Sequence, residues 1–176
     1  MSTWLRAIGA GLGAALTHAA LTLAALQLYS VNTSPSLPLG LYRVVPAARP
    51  RIGDLVLVCL PPDVAAPARA RGYLTRGRCA SGVEPLGKRI GAAAGDTVLV
   101  TSAGLVINGR SIPSTIPLRV DSHGRALPQL AGYRRGLRAG ELWLVASGHP
   151  RSFDSRYFGP VSIHTVIAVM RPMWTW

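Results

Sequence analysis

The residues of this chain best suited to catalysis are a single lysine and a small set of serines. Eighteen of the nineteen basic residues are arginine, and the one lysine, Lys88, lies in the segment 86–90. A guanidinium keeps its proton in a protein, whereas a lysine amine in an apolar pocket can become a neutral base. Ser36 lies in an extended stretch, 32–42, that is interrupted by prolines. A neutral Lys88 could take the proton of the Ser36 hydroxyl while that hydroxyl attacks a carbonyl.

A Ser-His-Asp triad is the competing arrangement for a nucleophilic serine. His123, His149 and His164 are available as bases, and Asp121 is available as the orienting carboxylate. None of them lies in a G-x-S-x-G motif, and His18 falls inside an apolar N-terminal run. The sequence therefore favours lysine as the base, and we interpret the histidines as surface or packing residues.

Three segments, in order along the chain, resemble the conserved boxes of one peptidase family. Residues 32–42 contain a Ser-x-Pro-x-Gly-x-Tyr core and resemble the nucleophile segment of the conjugal-transfer branch of the type I signal peptidases. That branch contains the TraF-type pilin-maturation peptidases. Residues 86–98 resemble the general-base box, in which a Lys-Arg pair precedes a Gly-Asp pair and a strand, and residues 147–161 resemble the C-terminal box.

Two departures from the housekeeping signal peptidases favour the conjugal branch. Gly148 is followed by His149-Pro150, where the family usually has Gly-Asp-Asn. The nucleophile segment also has one residue fewer between its serine and its proline.

The resemblance implies a role for each matching side chain. Ser36 would be the nucleophile and Lys88 the general base. Ser34 matches a hydroxyl that helps the Ser36 backbone N–H to form an oxyanion hole. Ser152 matches a serine that hydrogen-bonds the lysine amine and orients it.

The same resemblance implies that Asp154 and Arg156 form an ion pair that braces the site.

Cys59 and Cys79 stand twenty residues apart with no C-x-x-C motif and no nearby histidine pair, so no metal site is expected. In an oxidising compartment these cysteines could close a loop, and two buried free thiols are the alternative. No Walker or G-x-G-x-x-G motif is present, and no cofactor is expected.

The N-terminal segment predicts a membrane anchor. Residues 7–29 carry no formal charge, and a helix of that length, at about 1.5 Å per residue, crosses a hydrocarbon core of about 30 Å. A cleaved signal peptide and a buried helix are the alternatives. The arginines that flank both ends leave the orientation open by charge alone. The proposed chemistry favours residues 1–6 in the cytoplasm and 30–176 in the periplasm.

The rest of the chain predicts an all-β domain of short antiparallel strands, like that of the signal peptidases. Strands rich in Val, Ile and Leu and bounded by Gly and Pro are expected at 54–60, 96–101, 104–109, 141–146 and 164–170. Residues 61–85 and 111–140 are expected to be loop excursions from the sheet.

The net charge of +12 does not predict nucleic-acid binding, because the arginines are scattered over loops and form no basic helix. A basic surface beside anionic inner-membrane lipid accounts for the charge better.

The sequence thus predicts a single-pass inner-membrane serine endopeptidase that cleaves a pilin or other secreted precursor, with type IV secretion components as further partners. The sequence does not distinguish a linear product from a cyclic one. The alternatives are a general signal peptidase with broad secretory substrates and a non-catalytic periplasmic scaffold of a secretion apparatus.

Overall fold

The computed structural model describes Ile8, Gly13 and residues 15–19, 28–146 and 148–176. Among these residues no helix has the length and apolar character that crossing a membrane requires. The predicted cytoplasmic N-terminus, residues 1–6, and most of the predicted anchor, residues 7–29, lie outside the described part of the chain. The first described strand begins at Tyr29, the last residue of the predicted anchor.

From Tyr29 onward the chain consists mainly of short strands. The strands are β1 (Tyr29–Asn32), β2 (Gly40–Pro46), β3 (Leu55–Val58), β4 (Leu86–Ala93), β5 (Thr97–Thr101), β6 (Gly104–Ile107), β7 (Arg110–Ile112), β8 (Arg134–Gly136), β9 (Glu141–Val145), β10 (Val161–Ser162) and β11 (Val166–Thr175). The helices between them are α1 (Pro62–Ala70), α2 (Ser155–Phe158) and a 3-10 helix (Ile163–Thr165).

The strands of the described residues form two antiparallel sheets. The large sheet has the order β1-β2-β11-β3-β4-β9-β10, and the small sheet has the order β7-β6-β5-β8. Every pairing between neighbouring strands is antiparallel. The predicted class of short antiparallel strands is therefore confirmed for the described part of the domain.

All five predicted strands are present, with different ends. The strands predicted at 54–60 and 141–146 are observed as the shorter β3 and β9. The strands predicted at 96–101 and 104–109 are observed as β5 and β6. The segment predicted at 164–170 begins two residues later and continues to Thr175, because its second half pairs with β2. Of the other strands, β2, β4, β7 and β8 contain arginine, and β1 and β10 are short and partly polar. Their pairing in the sheet determines these strands more than their local apolar pattern does.

Three apolar clusters form the core of the described part of the chain, and the second of them joins the two sheets. The largest packs the alanines of α1 against β3, β4 and β9 of the large sheet. A second lies around the fully buried Trp143, between the small sheet and β9. The third lies under the nucleophile segment and joins Leu37 and Tyr42 to Leu57 and Met170.

The first predicted loop excursion, 61–85, contains a helix and is not loop throughout. α1 begins with Pro62 at its first position, where the N–H that proline lacks would have no partner within the helix. Asp63 lies in the first turn, where its negative charge interacts favourably with the positive end of the helix dipole. Ala65 and Ala68 are buried, so the small side chains let the helix pack closely on the sheet. Of the remaining residues, 71–85, five line a cavity that is described below.

Cys59 and Cys79 form a disulfide, with their Cα atoms 5.5 Å apart. It ties the end of β3 to the segment that follows α1. A cross-link that closes a loop of this length lowers the conformational entropy of the unfolded chain, which raises the free energy of the unfolded state by about 3 kcal/mol. We expect Cys59→Ser with Cys79→Ser to lower the free energy of unfolding by about that amount, measured by urea titration against wild type. As a control, reductant should lower the free energy of unfolding of wild type by the same amount and should not change that of the double variant. A loss well under 1 kcal/mol would contradict the expectation.

Candidate active site

Ser36 lies in a tight turn between β1 and β2. The Leu37 N–H donates to the Ser34 carbonyl at 3.4 Å, so residues 34–37 form a β-turn with Pro35 at its second position. Serine at the first position and proline at the second are the residues this turn prefers, because the proline ring presets the required φ. The sequence predicted an extended segment here, and the structure places the hydroxyl of Ser36 on a turn.

Two side chains outside the predicted set hold this turn in place. Asn32 Nδ2 donates to the carbonyls of Ser34, Leu37 and Pro38 at 2.8, 3.0 and 3.0 Å. The buried Tyr42 hydroxyl donates to the same Pro38 carbonyl at 2.6 Å. An asparagine two residues before a Ser-Pro turn was the available sequence signal for this role.

The C-terminal end of the chain packs beside the same segment. The Trp176 N–H donates to the Leu39 carbonyl at 3.0 Å, and Trp174 pairs with Leu41. A β-carbon at Gly40 would overlap the Trp174 carbonyl, which explains glycine at this position of the Ser-x-Pro-x-Gly-x-Tyr core. The last residues are therefore paired into the sheet, not frayed.

Lys88 faces the interior because of its place in β4. Buried and half-buried residues alternate along this strand, and Leu86, Lys88 and Ile90 fall on the buried face. Lys88 pairs in register with the fully buried Val56 of β3, and its own side chain is 2% exposed. The alternation of side chains along a strand thus puts an amine where an aliphatic side chain would ordinarily lie.

Burial lowers the pKa of Lys88 from its ordinary value of 10.5 to about 8. The Asp154 carboxylate opposes this shift, and the Arg156 guanidinium adds to it. At pH 7.4 a group with this pKa is about one-fifth neutral, against about 0.1% for an unperturbed lysine. The amine donates to the Gly87 carbonyl at 3.0 Å, which leaves its remaining hydrogen-bonding capacity for other groups in the cleft.

Two serine hydroxyls converge on Ser36 Oγ. Ser34 Oγ and Ser152 Oγ each donate to it at 3.2 Å, and the Ser36 backbone N–H donates to Ser34 Oγ at 3.4 Å. A hydroxyl oxygen accepts two hydrogen bonds and donates one, so the proton of Ser36 stays available for a base. Ser34 lies where the resemblance placed it, next to the backbone donor of Ser36.

The contact of Ser152 differs from the predicted one. The sequence predicted that this serine would hydrogen-bond the lysine amine, whereas in the structure its hydroxyl bonds the Ser36 hydroxyl directly. The amine of Lys88 is held instead by the carbonyl of its own neighbour in the strand. Ser152 is 116 residues from Ser36 in sequence and is itself buried, so only the fold brings the two together.

Asp154 and Arg156 form a fully buried ion pair. The guanidinium donates from Nε to Oδ1 at 2.7 Å and from Nη2 to Oδ2 at 2.9 Å. Arg156 also donates to the carbonyls of Ser152 and Ile116, at 3.1 and 3.2 Å. Asp154 accepts from the backbone N–H groups of Ala146 and Arg156. The pair therefore fixes the backbone that carries Ser152.

Ser36 and Lys88 line one cavity, of about 370 Å³. Its walls come from β1, from the first residues of β4 and from the segment after α1, which the disulfide ties to β3. β1 pairs only with β2 among the described residues, and residues 86–88 of β4 have no partner on β9. Two unpaired backbone edges thus border the cavity beside the nucleophile, and an extended peptide could pair with them.

The histidines do not complete a triad with Ser36 in the described part of the chain. His164 is exposed in the 3-10 helix, and His123 contacts Ser122 at 3.3 Å and the Asp121 carboxylate through its backbone N–H. His149 lines a second cavity next to Ser36. Within the described residues no group of three or more His, Cys, Asp or Glu side chains could hold a metal ion.

Comparison with known proteins agrees with the resemblance seen in the three boxes. The whole chain, residues 1–176, matches the family described as signal peptidase, peptidase S26. The conjugal transfer protein TraF of Agrobacterium tumefaciens is 42% identical over 167 residues, which cover 93% of this chain and 92% of that protein. A plasmid transfer protein TraF of Escherichia coli is 38% identical over 172 residues, which cover 97% of this chain and 94% of that protein.

Among solved structures, a signal peptidase I from Enterococcus faecalis matches with a TM-score of 0.41 and 21% identity, covering 70% of this chain and 97% of that one. The match over every residue and the relatives at 38% and 42% identity carry the conclusion: this chain belongs to the signal peptidase, peptidase S26, family.

Proposed function

We propose that this protein is a membrane-anchored serine endopeptidase in which Ser36 is the nucleophile and Lys88 the general base. The observation that carries the proposal is an amine, 2% exposed and with its pKa lowered to about 8, that lines the same cavity as a serine hydroxyl. A catalytic base works best when its pKa lies near the working pH. A lysine that served only as a structural cation would have no need of this burial.

The proposed reaction has two steps. Neutral Lys88 takes the Ser36 proton as Oγ bonds to the peptide carbonyl carbon, and the resulting ammonium then gives that proton to the leaving nitrogen as the C–N bond breaks. The product of this step is an ester on Ser36 and a free amine. Water next attacks the ester, Lys88 takes the proton of that water, and the proton returns to Ser36 as the ester bond breaks.

The oxyanion that develops in each step would be held by Ser34 and by the backbone N–H of Ser36. In the free protein Ser34 Oγ lies 3.2 Å from Ser36 Oγ, and the Ser36 backbone N–H donates to Ser34 Oγ at 3.4 Å. On attack they would turn toward the new negative oxygen. Each such donor contributes about 3–4 kcal/mol to stabilising the transition state.

The substrate we propose is a secreted precursor of a conjugation apparatus, with a pilin as the first candidate. Support comes from the names of the relatives, a conjugal transfer protein and a plasmid transfer protein, together with the Ser-x-Pro-x-Gly-x-Tyr core at residues 36–42. If an amine of the substrate replaces water in the second step, the product is circular.

We propose that the domain works outside the cytoplasm, at the surface of the inner membrane. The disulfide supports an oxidising compartment such as the periplasm. Trp174 and Trp176, at 70% and 66% exposure, stand with their rings 5.7 Å apart. Trp174 and the exposed Val31 of β1 pair with Leu41 of β2 from its two sides. Exposed indoles are favoured at the lipid headgroup level, which supports contact of this edge with lipid.

The test is cleavage of a candidate pilin precursor by membranes that carry wild type, Ser36→Ala or Ser111→Ala, followed by mass spectrometry. We expect Ser36→Ala to leave the precursor intact and Ser111→Ala, an exposed serine of β7, to cleave it as wild type does. A cyclic product would be lighter than the linear one by one water. Cleavage by Ser36→Ala would contradict the proposal. Cleavage of many unrelated secretory precursors at the same rate would favour the general signal peptidase.

A further inference from the structure

A second cavity, of about 250 Å³, opens on the other side of Ser36. It shares four lining residues with the first cavity, namely Ser34, Ser36, Tyr73 and Phe153. The nucleophile therefore lies where the two cavities meet, and one extended peptide could occupy both.

Two aromatic rings separate the cavities. Tyr73 and Phe153 stand 5.1 Å apart, centre to centre, and each lines both spaces. Phe153 is further packed on Tyr157 and Phe158 of α2, at 6.1 and 5.2 Å. The wall between the cavities, Tyr73 and Phe153, is thus held in place by the packing of Phe153 against the aromatic rings of α2.

The outer wall of the second cavity is an arm, residues 113–133, that leaves the small sheet and crosses to α1. Asp121 fastens this arm, because its carboxylate accepts from the Tyr73 hydroxyl at 2.7 Å and from Arg125 Nε at 2.6 Å. Arg125 in turn donates to the Arg71 carbonyl at 2.7 Å. Burial raises the pKa of Asp121, but its hydrogen bonds from Tyr73, Arg125 and His123 outweigh that effect and hold the pKa below its usual range.

The chemistry of the second cavity suits an apolar side chain. Leu118 and Leu127 of the arm face Pro35, Phe153 and Tyr157 across it. The Asp121 carboxylate on its wall is already occupied by four hydrogen bonds from the protein. The charged or ionisable side chains His149 and Arg151 belong to the loop that precedes Ser152, and Ser122 lies on the arm.

The two cavities differ in what they offer to a peptide backbone. The first is bordered by unpaired edges of β1 and β4, whereas no residue that lines the second belongs to a strand. The acyl half of a substrate is bonded to Ser36 between the two steps and must keep its register until the ester breaks, which backbone pairing provides. The leaving half must depart after the first step, so contacts with side chains alone suit it better.

We propose that the second cavity binds the leaving half of the substrate, and that the arm residues Leu118 and Leu127 select an apolar side chain at the first residue beyond the cleaved bond. This rests on the proposed peptidase function, because it assigns the two halves of one peptide to the two sides of Ser36.

The experiment uses the precursor cleaved in the test above, with each amino acid placed in turn at the residues on either side of the cut. The full-length enzyme carries Leu127→Ala, which enlarges the cavity, or Leu127→Trp, which fills it. Val120→Ala and Val120→Trp are the matched controls, because Val120 is on the same arm, is 48% exposed and does not line the cavity. Competing precursors are compared by kcat/KM from product masses.

We compare precursors that carry Leu or Phe at the first residue beyond the cut with the precursor that carries Ala there. We expect Leu127→Trp to lower the kcat/KM of the Leu and Phe precursors about tenfold relative to the Ala precursor. Leu127→Ala should shift this preference in the opposite direction, toward larger side chains. The preference at the residue before the cut should stay as in wild type, and the Val120 variants should match wild type at both residues.

A changed preference before the cut, or no change at either residue, overturns the inference while the peptidase function stands. If Ser36→Ala cleaves these precursors as wild type does, the proposed function itself fails, and the inference fails with it. The two failures are therefore distinguishable in one data set.

Discussion

Lys88→Met is expected to abolish precursor cleavage and, at neutral pH, to make the fold more stable. Removing the base should reduce kcat/KM by about 10³-fold or more, since nucleophile and base act as a unit. Lys88→Arg should be equally inactive, because a guanidinium keeps its proton. The measurement is the initial rate of cleavage by equal amounts of folded enzyme.

The gain in stability follows from the pKa of Lys88. This pKa falls from 10.5 in the unfolded chain to about 8 in the fold, so between these values the unfolded state binds the proton and the folded state does not. Stability contributed by this residue therefore rises with pH across that window, and below about pH 8 the buried ammonium carries its full cost. At about 1.4 kcal/mol per pKa unit, that cost is about 3 kcal/mol.

Urea titration with tryptophan fluorescence, which the buried Trp143 should report, measures this effect. We expect Lys88→Met to be more stable than wild type by about 3 kcal/mol at pH 7, and the difference to shrink by about half near pH 9.5. Arg110→Met, at an exposed residue of β7, is the control and should change little. A Lys88→Met variant that is less stable than wild type at pH 7 would show that the amine is not a buried charge.

The same pKa sets the pH dependence of cleavage. The neutral amine is the active form, so wild-type kcat/KM should rise with pH and level off above about pH 8. A profile that is flat from pH 6 to pH 9, or one that falls across that range, would argue against Lys88 as the base.

Arg156→Met should be the most destabilising single change in the site, at about 3–5 kcal/mol, because it leaves the fully buried Asp154 carboxylate without its counter-charge. Arg171→Met is the matched control, since Arg171 also pairs with an aspartate, Asp54, but is 58% exposed. Exposed pairs contribute about 0–1 kcal/mol. Equal losses in the two variants, measured by urea titration, would contradict this account of the buried pair.

Two further measurements test whether the Asp154–Arg156 pair supports the catalytic site or only stabilises the fold. Adding Asp154→Asn to Arg156→Met removes the lone charge and should recover part of the lost stability. Arg156 also lowers the pKa of Lys88, whereas Asp154 raises it, so Arg156→Met should move the rise in kcat/KM to higher pH. A variant that lost stability without this shift would show that the pair acts on the fold alone.

Much of the architecture could be predicted because its signals are local. The runs of Val, Ile and Leu in β3, β5, β6 and β9 alternate or cluster as strands do, and their order places them in one antiparallel domain. The helix at Pro62–Ala70 was missed because its alanines, buried on the sheet, give no apolar periodicity. The weak strands β1, β2 and β4 were missed because their partners determine them, although β1 and β4 border the first cavity and β2 holds the nucleophile turn.

The sequence by itself determined the order and spacing of the three boxes, the Ser-Pro pair that favours a turn before Ser36 and the apolar runs that become β3, β5, β6 and β9. Each of these depends on neighbouring residues only, through backbone preference or the period of a strand. Tertiary structure decided the rest: Ser152 reaches Ser36 across 116 residues, the arm closes on α1 through Asp121, and Cys59 meets Cys79. These contacts join distant parts of the chain, so their geometry exists only once the sheets have packed, and no local pattern can encode it.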